Sequence, residues 1–204
     1  MTRDAAGDGD RPKDAAIVGR IDTGHRVGRL DLVAVDGSSV AVPHPQRLTH
    51  LQFRRFAGCP VCNVHLRSFA RRYADIEAAD IREIVFFHST EAELRKYVAD
   101  LPFAIVADPT KRYYRAFGVE AGVRALLDPR GWPKILRAVA GGLVDIMRGR
   151  PTPPLIPAGG RYGLPADVLI DRDGRVVAIK YGAHVDDQWE VDDLLEIARS
   201  ARAG

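Results

Sequence analysis

Long apolar runs are missing from this chain of 204 residues. Nothing in it approaches the roughly 18 consecutive apolar residues of a membrane span. The first residues, MTRDAAGDGDRPKDAA, carry no apolar stretch behind their basic residues, so no secretory signal is expected and the expected location is cytoplasmic. Charge of one sign is also scarce. The 30 basic residues, 25 Arg and 5 Lys, nearly balance 27 acidic ones, for a net charge of +3. Without a dense basic cluster that balance gives neither nucleic acid nor a membrane surface a footing as partner. Cysteine is scarcest of all: only Cys59 and Cys62, two residues apart. One bridge across two residues cannot staple a chain of this size, so a disulfide scaffold is excluded, which leaves redox chemistry or metal binding.

What is there reads as one α/β domain. Residues 1–20 have no periodicity and are expected to form a disordered tail ahead of a domain over 21–204. Leu30 to Val35 and Ser39 to Val42 flank an Asp36-Gly37 turn, a hairpin signal. Leu48 to Phe56 reads as a strand running to the cysteines. After Pro60 the apolar positions Leu66, Phe69, Ala70, Tyr73 and Ile76 recur at helical spacing. Ile81 to His88 reads as a buried central strand, Thr90 opens a capped helix through Val98, and Phe103 to Ala107 is a further strand. Asp108-Pro109 reads as the start of a helix to Phe117. Asp167 to Ile170 and Arg175 to Lys180 pair across Asp171–Gly174, and Asp187 with Glu190 has capping-box spacing before a closing helix that buries Val191, Leu194, Leu195 and Ala198. Strands alternating with helices argue for a mixed sheet flanked by helices.

Residues at about 119–163 break that alternation and read as an insertion. Its apolar positions from Trp132 to Met147 suit a helix that Gly141-Gly142 weakens. That face can cover the active-site edge, pack on the sheet, or make a homodimer through the 132–147 segment.

The chemistry concentrates at Cys59-Pro60-Val61-Cys62. A strand leading to Cys-x-x-Cys at a helix start places Cys59 at the N-cap or first turn, where unpaired backbone N–H groups favour a thiolate. Such placement can bring a thiol pKa from about 8.5 into the range of roughly 3.5–7.5. Arg54 or Arg55 adds positive charge. Thiol–disulfide exchange needs an exposed attacker and a nearby resolver, and the spacing casts Cys59 as attacker and Cys62 as the more buried resolver.

Gly58-Cys59-Pro60-Val61-Cys62 between strand and helix resembles a thioredoxin-fold active site. Asp108-Pro109-Thr110 with Tyr114-Arg115-Ala116-Phe117-Gly118-Val119, and Leu169 to Val177, resemble segments of the alkyl hydroperoxide reductase/thiol-specific antioxidant (AhpC/TSA, peroxiredoxin) branch, as in bacterial peroxiredoxin-like proteins. The resemblance spans roughly residues 28–118 and 163–200. It implies a thioredoxin-like fold with an N-terminal hairpin and a helical insertion, and a thiol-dependent oxidoreductase. Its oxidant is a protein or small-molecule disulfide or a peroxide, its electrons come from an external thiol reductant, and it needs no bound cofactor. It also implies Pro60, Pro165 and Arg55 as substrate-binding residues, Pro165 standing where thioredoxins carry a cis-proline. The chain departs from the peroxiredoxin pattern Pro-x-x-x-Thr/Ser-x-x-Cys: the two marked positions hold Gln52 and Phe56 counted from Cys59, and Arg55 and Cys59 counted from Cys62. Disulfide exchange is therefore the first expectation and a CxxC-dependent peroxidase the alternative.

Two further readings stand beside these. The pair can be a passive redox sensor, or Cys59-x-x-Cys62-x-x-His65 a metal site, although no second ligand pair completes a structural zinc. His44, His50, His88 and His184 read as surface or strand-end residues, with His88 set apart because it ends a central strand where α/β sites form. Asp31, Glu83 and Asp167 show no paired-carboxylate spacing. Asp167, two residues after Pro165, reads as a satisfied strand-end carboxylate, with tuning of Cys62 as the alternative.

Overall fold

A computed structural model describes residues 19–98, 100–119 and 163–203. The expected tail, the helix over Trp132 to Met147, the homodimer through it and any reach of Arg161 toward the site lie outside the described residues.

Strands β1 (Leu30–Val33) and β2 (Ser39–Val42) form a separate antiparallel hairpin. Then follow β3 (Leu48–Arg54), α1 (Pro60–Arg71), α2 (Tyr73–Ala78), β4 (Ile81–Phe87), α3 (Glu91–Tyr97), β5 (Ala104–Ala107), α4 (Arg112–Ala116), β6 (Ala166–Ile170), β7 (Val176–Tyr181) and α5 (Val191–Ala203). The central sheet has the order β5-β4-β3-β6-β7. β3, β4 and β5 are parallel, while β6 and β7 run antiparallel. This is the mixed sheet that the alternation of elements implied, in the thioredoxin-like arrangement that the resemblance implied. No helix among the described residues is long and apolar enough to cross a membrane.

Two cores cover the two faces. On one, Leu51 and Phe53 of β3 meet Phe86, Tyr114, Phe117 and the hairpin, with Phe53 stacked on Phe86 at 4.9 Å. On the other, Leu66, Phe69, Ile76, Leu94 and Leu194 of the helices pack over Ile81, Val85, Phe87 and Leu169. Because side chains alternate along a strand, β3 sends His50, Gln52 and Arg54 to this second face, all fully buried.

Beyond shifts of one or two residues at strand ends, three boundaries differ from expectation. The helix after Pro60 breaks at Arg72, whose N–H bonds back to Ser68 and Phe69, yet Leu66, Phe69 and Ile76 stay on one buried side. Asp108 does not cap directly. Its carboxylate accepts from the N–H groups of Arg112 and Tyr113 (2.8 and 2.7 Å) across a turn, so α4 starts four residues on. Asp187 pairs with Lys180 (2.7 Å) and accepts from Ala183 N–H, leaving Asp193 to accept from Glu190 N–H before α5. The Thr90 capping box with Glu93 forms as the spacing predicts.

Tyr114 ties α4 to the sheet under the cysteine loop: its buried hydroxyl lies against the carbonyls of Arg54 and Phe86, 2.9 Å from the latter. Tyr114→Phe should therefore lower stability by about 1–2 kcal/mol, read as a lower urea midpoint with an unchanged m value.

Candidate active site

Strand β3 ends at Arg54, and five residues, Arg55 to Cys59, carry the chain to α1. The turn requires Gly58, which has φ +78 and whose missing Cβ would lie 3.0 Å from the Tyr97 ring. Cys59 is then the N-cap of α1, with Pro60 in the first turn, where a missing N–H costs nothing. Asn63 N–H bonds the Cys59 carbonyl at 2.9 Å and brings Cys62 one turn further along. The placement of Cys59 follows the expectation, but its sulfur makes no cap hydrogen bond. It accepts instead from Arg55 Nη2 at 2.9 Å.

The division into an exposed and a buried sulfur is not what the structure has. Cys59 is 1% and Cys62 4% exposed, because Phe56 and Val61 pack around both. Beside them lies a cavity of about 10 Å³, walled by Phe56, Leu66, Phe87, Tyr97 and Val98, about the space one water needs. Both cysteines are free thiols.

The two thiols titrate as a pair. The hydrogen bond from Cys59 lowers the pKa of Cys62; burial opposes this, and the charges of Arg55 and Arg54 add to it. Burial, then the proximity of Cys62, pushes the Cys59 thiol up despite Arg55. The pair thus releases one proton readily and holds the other, and a proton passed along the S–H···S contact moves the charge to Cys59.

Behind α1 runs a chain of buried polar groups. Arg54 Nη2 donates to Asp167 Oδ1 and to Gln52 Oε1, both at 2.6 Å, and Gln52 Nε2 donates to Glu83 Oε2 at 2.5 Å. His50 bonds Glu83 through Nδ1. Its Nε2 lies 3.2 Å from Asp167 Oδ1, at ion-pair distance but off the line of a hydrogen bond. Asp167 Oδ2 accepts from Trp189 N–H. Arg54 Nη2 is also 3.3 Å from His65 Nε2, which must accept because a guanidinium only donates. Burial opposes the His50 charge, but Glu83 and Asp167 outweigh it and hold its pKa up at about 9. Burial likewise opposes the Asp167 charge, and Arg54 with His50 holds that carboxyl well below its ordinary range.

The fold and this site suit several thiol enzymes, and comparison with known proteins narrows the choice. The AhpC/TSA antioxidant enzyme family matches residues 68–184, more than half of the sequence. The chain belongs to that family. As an AhpC/TSA protein it is a thiol-dependent oxidoreductase, although the matched stretch begins just past the cysteine pair. Among solved structures it resembles peroxidoxin BcpB from Mycobacterium tuberculosis at 15% identity and a TM-score of 0.62, covering 89% of this chain and 98% of that one. AhpC from Mycobacterium tuberculosis (13%, TM-score 0.63, 90% and 94%) and a peroxiredoxin-like protein from Aquifex aeolicus (13%, TM-score 0.61, 90% of each) share the fold. No curated protein sequence matches the chain.

Within this AhpC/TSA protein the structure brings Arg55 and the two cysteines together. Pro165 differs from expectation: the cis peptide precedes Pro43, and the Leu164–Pro165 bond is not cis. Pro165 is buried and its carbonyl accepts from Gly182 N–H at 2.9 Å, which extends the β6–β7 ladder and holds the segment in ordinary extended form. His50 is not a surface residue, since it lies fully buried between Glu83 and Asp167. Asp167 is the satisfied carboxylate the strand position implied. Among the described residues no group of three metal-ligating side chains forms, and His65 faces Arg54. Sequence reasoning missed the polar stripe. Its signal was His50-x-Gln52-x-Arg54, three polar residues at period two inside an otherwise buried strand.

Two outcomes follow from these charges. Arg55→Met should slow alkylation of the reduced protein by iodoacetamide at mildly acidic pH by roughly tenfold or more, through loss of a charged hydrogen bond at the thiol pair. The His50 charge adds stability in full below its ordinary pKa of 6.5 and loses it as pH rises through about 9. The urea midpoint should therefore fall across the alkaline side in the wild type, and His50→Gln should flatten that fall.

Proposed function

We propose that the chain is a CxxC-dependent thiol peroxidase in which Cys59 attacks and Cys62 resolves. The observation that carries this reading is Cys59 itself, which lines a water-sized cavity and accepts from the Arg55 guanidinium at 2.9 Å. A buried sulfur with that little room suits an oxidant of few atoms better than a protein disulfide. Arg55, the residue after β3, sets a positive charge directly against that sulfur.

The Cys59 thiolate attacks one peroxide oxygen. The S–O bond forms as the O–O bond breaks, and the departing oxygen takes the remaining thiol proton of the pair. Cys62, now a thiolate, attacks the Cys59 sulfenic acid, and the disulfide forms as hydroxide leaves and is protonated to water. The dithiol monoanion, one hydroperoxide and one proton thus become the disulfide, an alcohol (water, from hydrogen peroxide) and one water. An external thiol then reduces Cys59–Cys62, and the reading places this cycle in the cytoplasm. Thiol–disulfide exchange is the second reading. It is favoured by Gln52 and Phe56, neither of which supplies the hydroxyl of the peroxiredoxin pattern.

Thiol loss after stoichiometric hydrogen peroxide, against thiol loss with hydroxyethyl disulfide, separates the two. Peroxide should oxidise the wild type orders of magnitude faster than a free thiol, Cys59→Ser should abolish this, and Cys62→Ser should stop at the sulfenic acid. A free-thiol rate with peroxide and a fast rate with the disulfide would reverse the assignment.

A further inference from the structure

One buried side chain next to Arg55 has unused hydrogen-bonding capacity. His88 follows the last residue of β4, and the β3–β4 register sets it next to Arg55, whose carbonyl accepts from His88 N–H at 3.1 Å. The imidazole is 1% exposed, yet neither ring nitrogen has a hydrogen-bond partner. Its ring is fixed by an edge contact with Tyr114 at 5.7 Å and lies 6.5 Å from the Phe56 ring. A buried polar group without partners is costly, so two such atoms on one fixed ring call for an explanation.

The gap they border is shared with Arg55. A Cβ at Gly163 would lie 3.4 Å from His88 Nε2 and 3.5 Å from Arg55 Cγ. The missing side chain at Gly163 thus leaves open the space over both residues, and Arg55 reaches from there to Cys59. Burial, with Lys111 and Arg55 adding to it, lowers the His88 pKa to about 4. The ring is therefore uncharged near neutral pH, with one N–H to donate and one nitrogen to accept.

We propose that His88 belongs to the oxidant site: its Nε2–H donates a hydrogen bond to the oxygen of a hydroperoxide that departs when Cys59 attacks the other. This rests on the peroxidase reading above and adds to it a substrate-binding residue. Nε2 keeps its proton throughout. Negative charge that develops on the departing oxygen as the O–O bond breaks falls between the Nε2–H and the Arg55 guanidinium, where donors already in place stabilise it. The proton that completes the alcohol comes from the thiol pair.

The test compares His88→Phe, which keeps a ring against Tyr114, with His88→Gln, which keeps a donor, both checked for thermal unfolding. Oxidation of the reduced protein by hydrogen peroxide is read beside alkylation by iodoacetamide, which reports thiolate supply and access to the thiols without any O–O bond breaking. His88→Phe should slow peroxide oxidation about 10- to 100-fold and leave alkylation unchanged, with part of the loss recovered in His88→Gln. Equal slowing of both reactions, or an unchanged peroxide rate in His88→Phe against a fast wild type, would overturn the role of His88 alone. A wild type that reacts with peroxide no faster than a free thiol would overturn the peroxidase reading, and this assignment with it.

Discussion

The pairing of Arg54 with Asp167 is the constraint on which the site depends. Both are fully buried, and their 2.6 Å contact joins the end of β3 to β6 beneath the helix that carries the cysteines. A guanidinium cannot shed its charge to suit a dry interior, so it must be matched there, and removing one partner of such a pair typically costs about 3–5 kcal/mol. Gln52, Glu83 and His50 extend that matching until each charge has an opposite beside it. The polar stripe is confined to one face of β3, β4 and β6, with Leu66, Phe69, Trp189 and Leu194 in the apolar core of the same face.

Arg54 and Arg55 are adjacent in sequence and serve different ends. Arg54 turns into the stripe, where Asp167 and Gln52 take up its donors, and its charge still reaches Cys62. Arg55 leaves the strand and meets the Cys59 sulfur. Two positive charges therefore stand near a pair of buried thiols that ionise once. Burial favours the uncharged state of every group here, and a single thiolate is tolerated because those charges and the neighbouring thiol offset that penalty.

The fold was largely legible from local signals. The hairpin at Asp36-Gly37, the Thr90 capping box, the run Ile81 to Phe87 and the turn Asp171–Gly174 all formed as read, because each depends on residues near one another in the chain. The misplaced boundaries have the same root. Asp108 and Asp187 are good caps in isolation, but an extra turn and a competing Lys180 redirected their carboxylates. His50 was misjudged because a lone histidine carries no sign of the carboxylates that flank it; Glu83 and Asp167 are 33 and 117 positions away.

The sequence by itself determined the element order, the mixed sheet, and the position of Cys59 at the start of a helix with Cys62 one turn beyond. Those follow from periodicity, turn chemistry and the helical repeat, which act over a few residues. Only the tertiary structure decided that both sulfurs are buried, that Arg55 and not a helix N–H meets Cys59, that Arg54 is matched by Asp167, and that the ring of His88 is left unpartnered beside Arg55. These depend on which strands become neighbours and in what register, and burial and Coulomb interactions act between groups close in space however far apart they are in the chain.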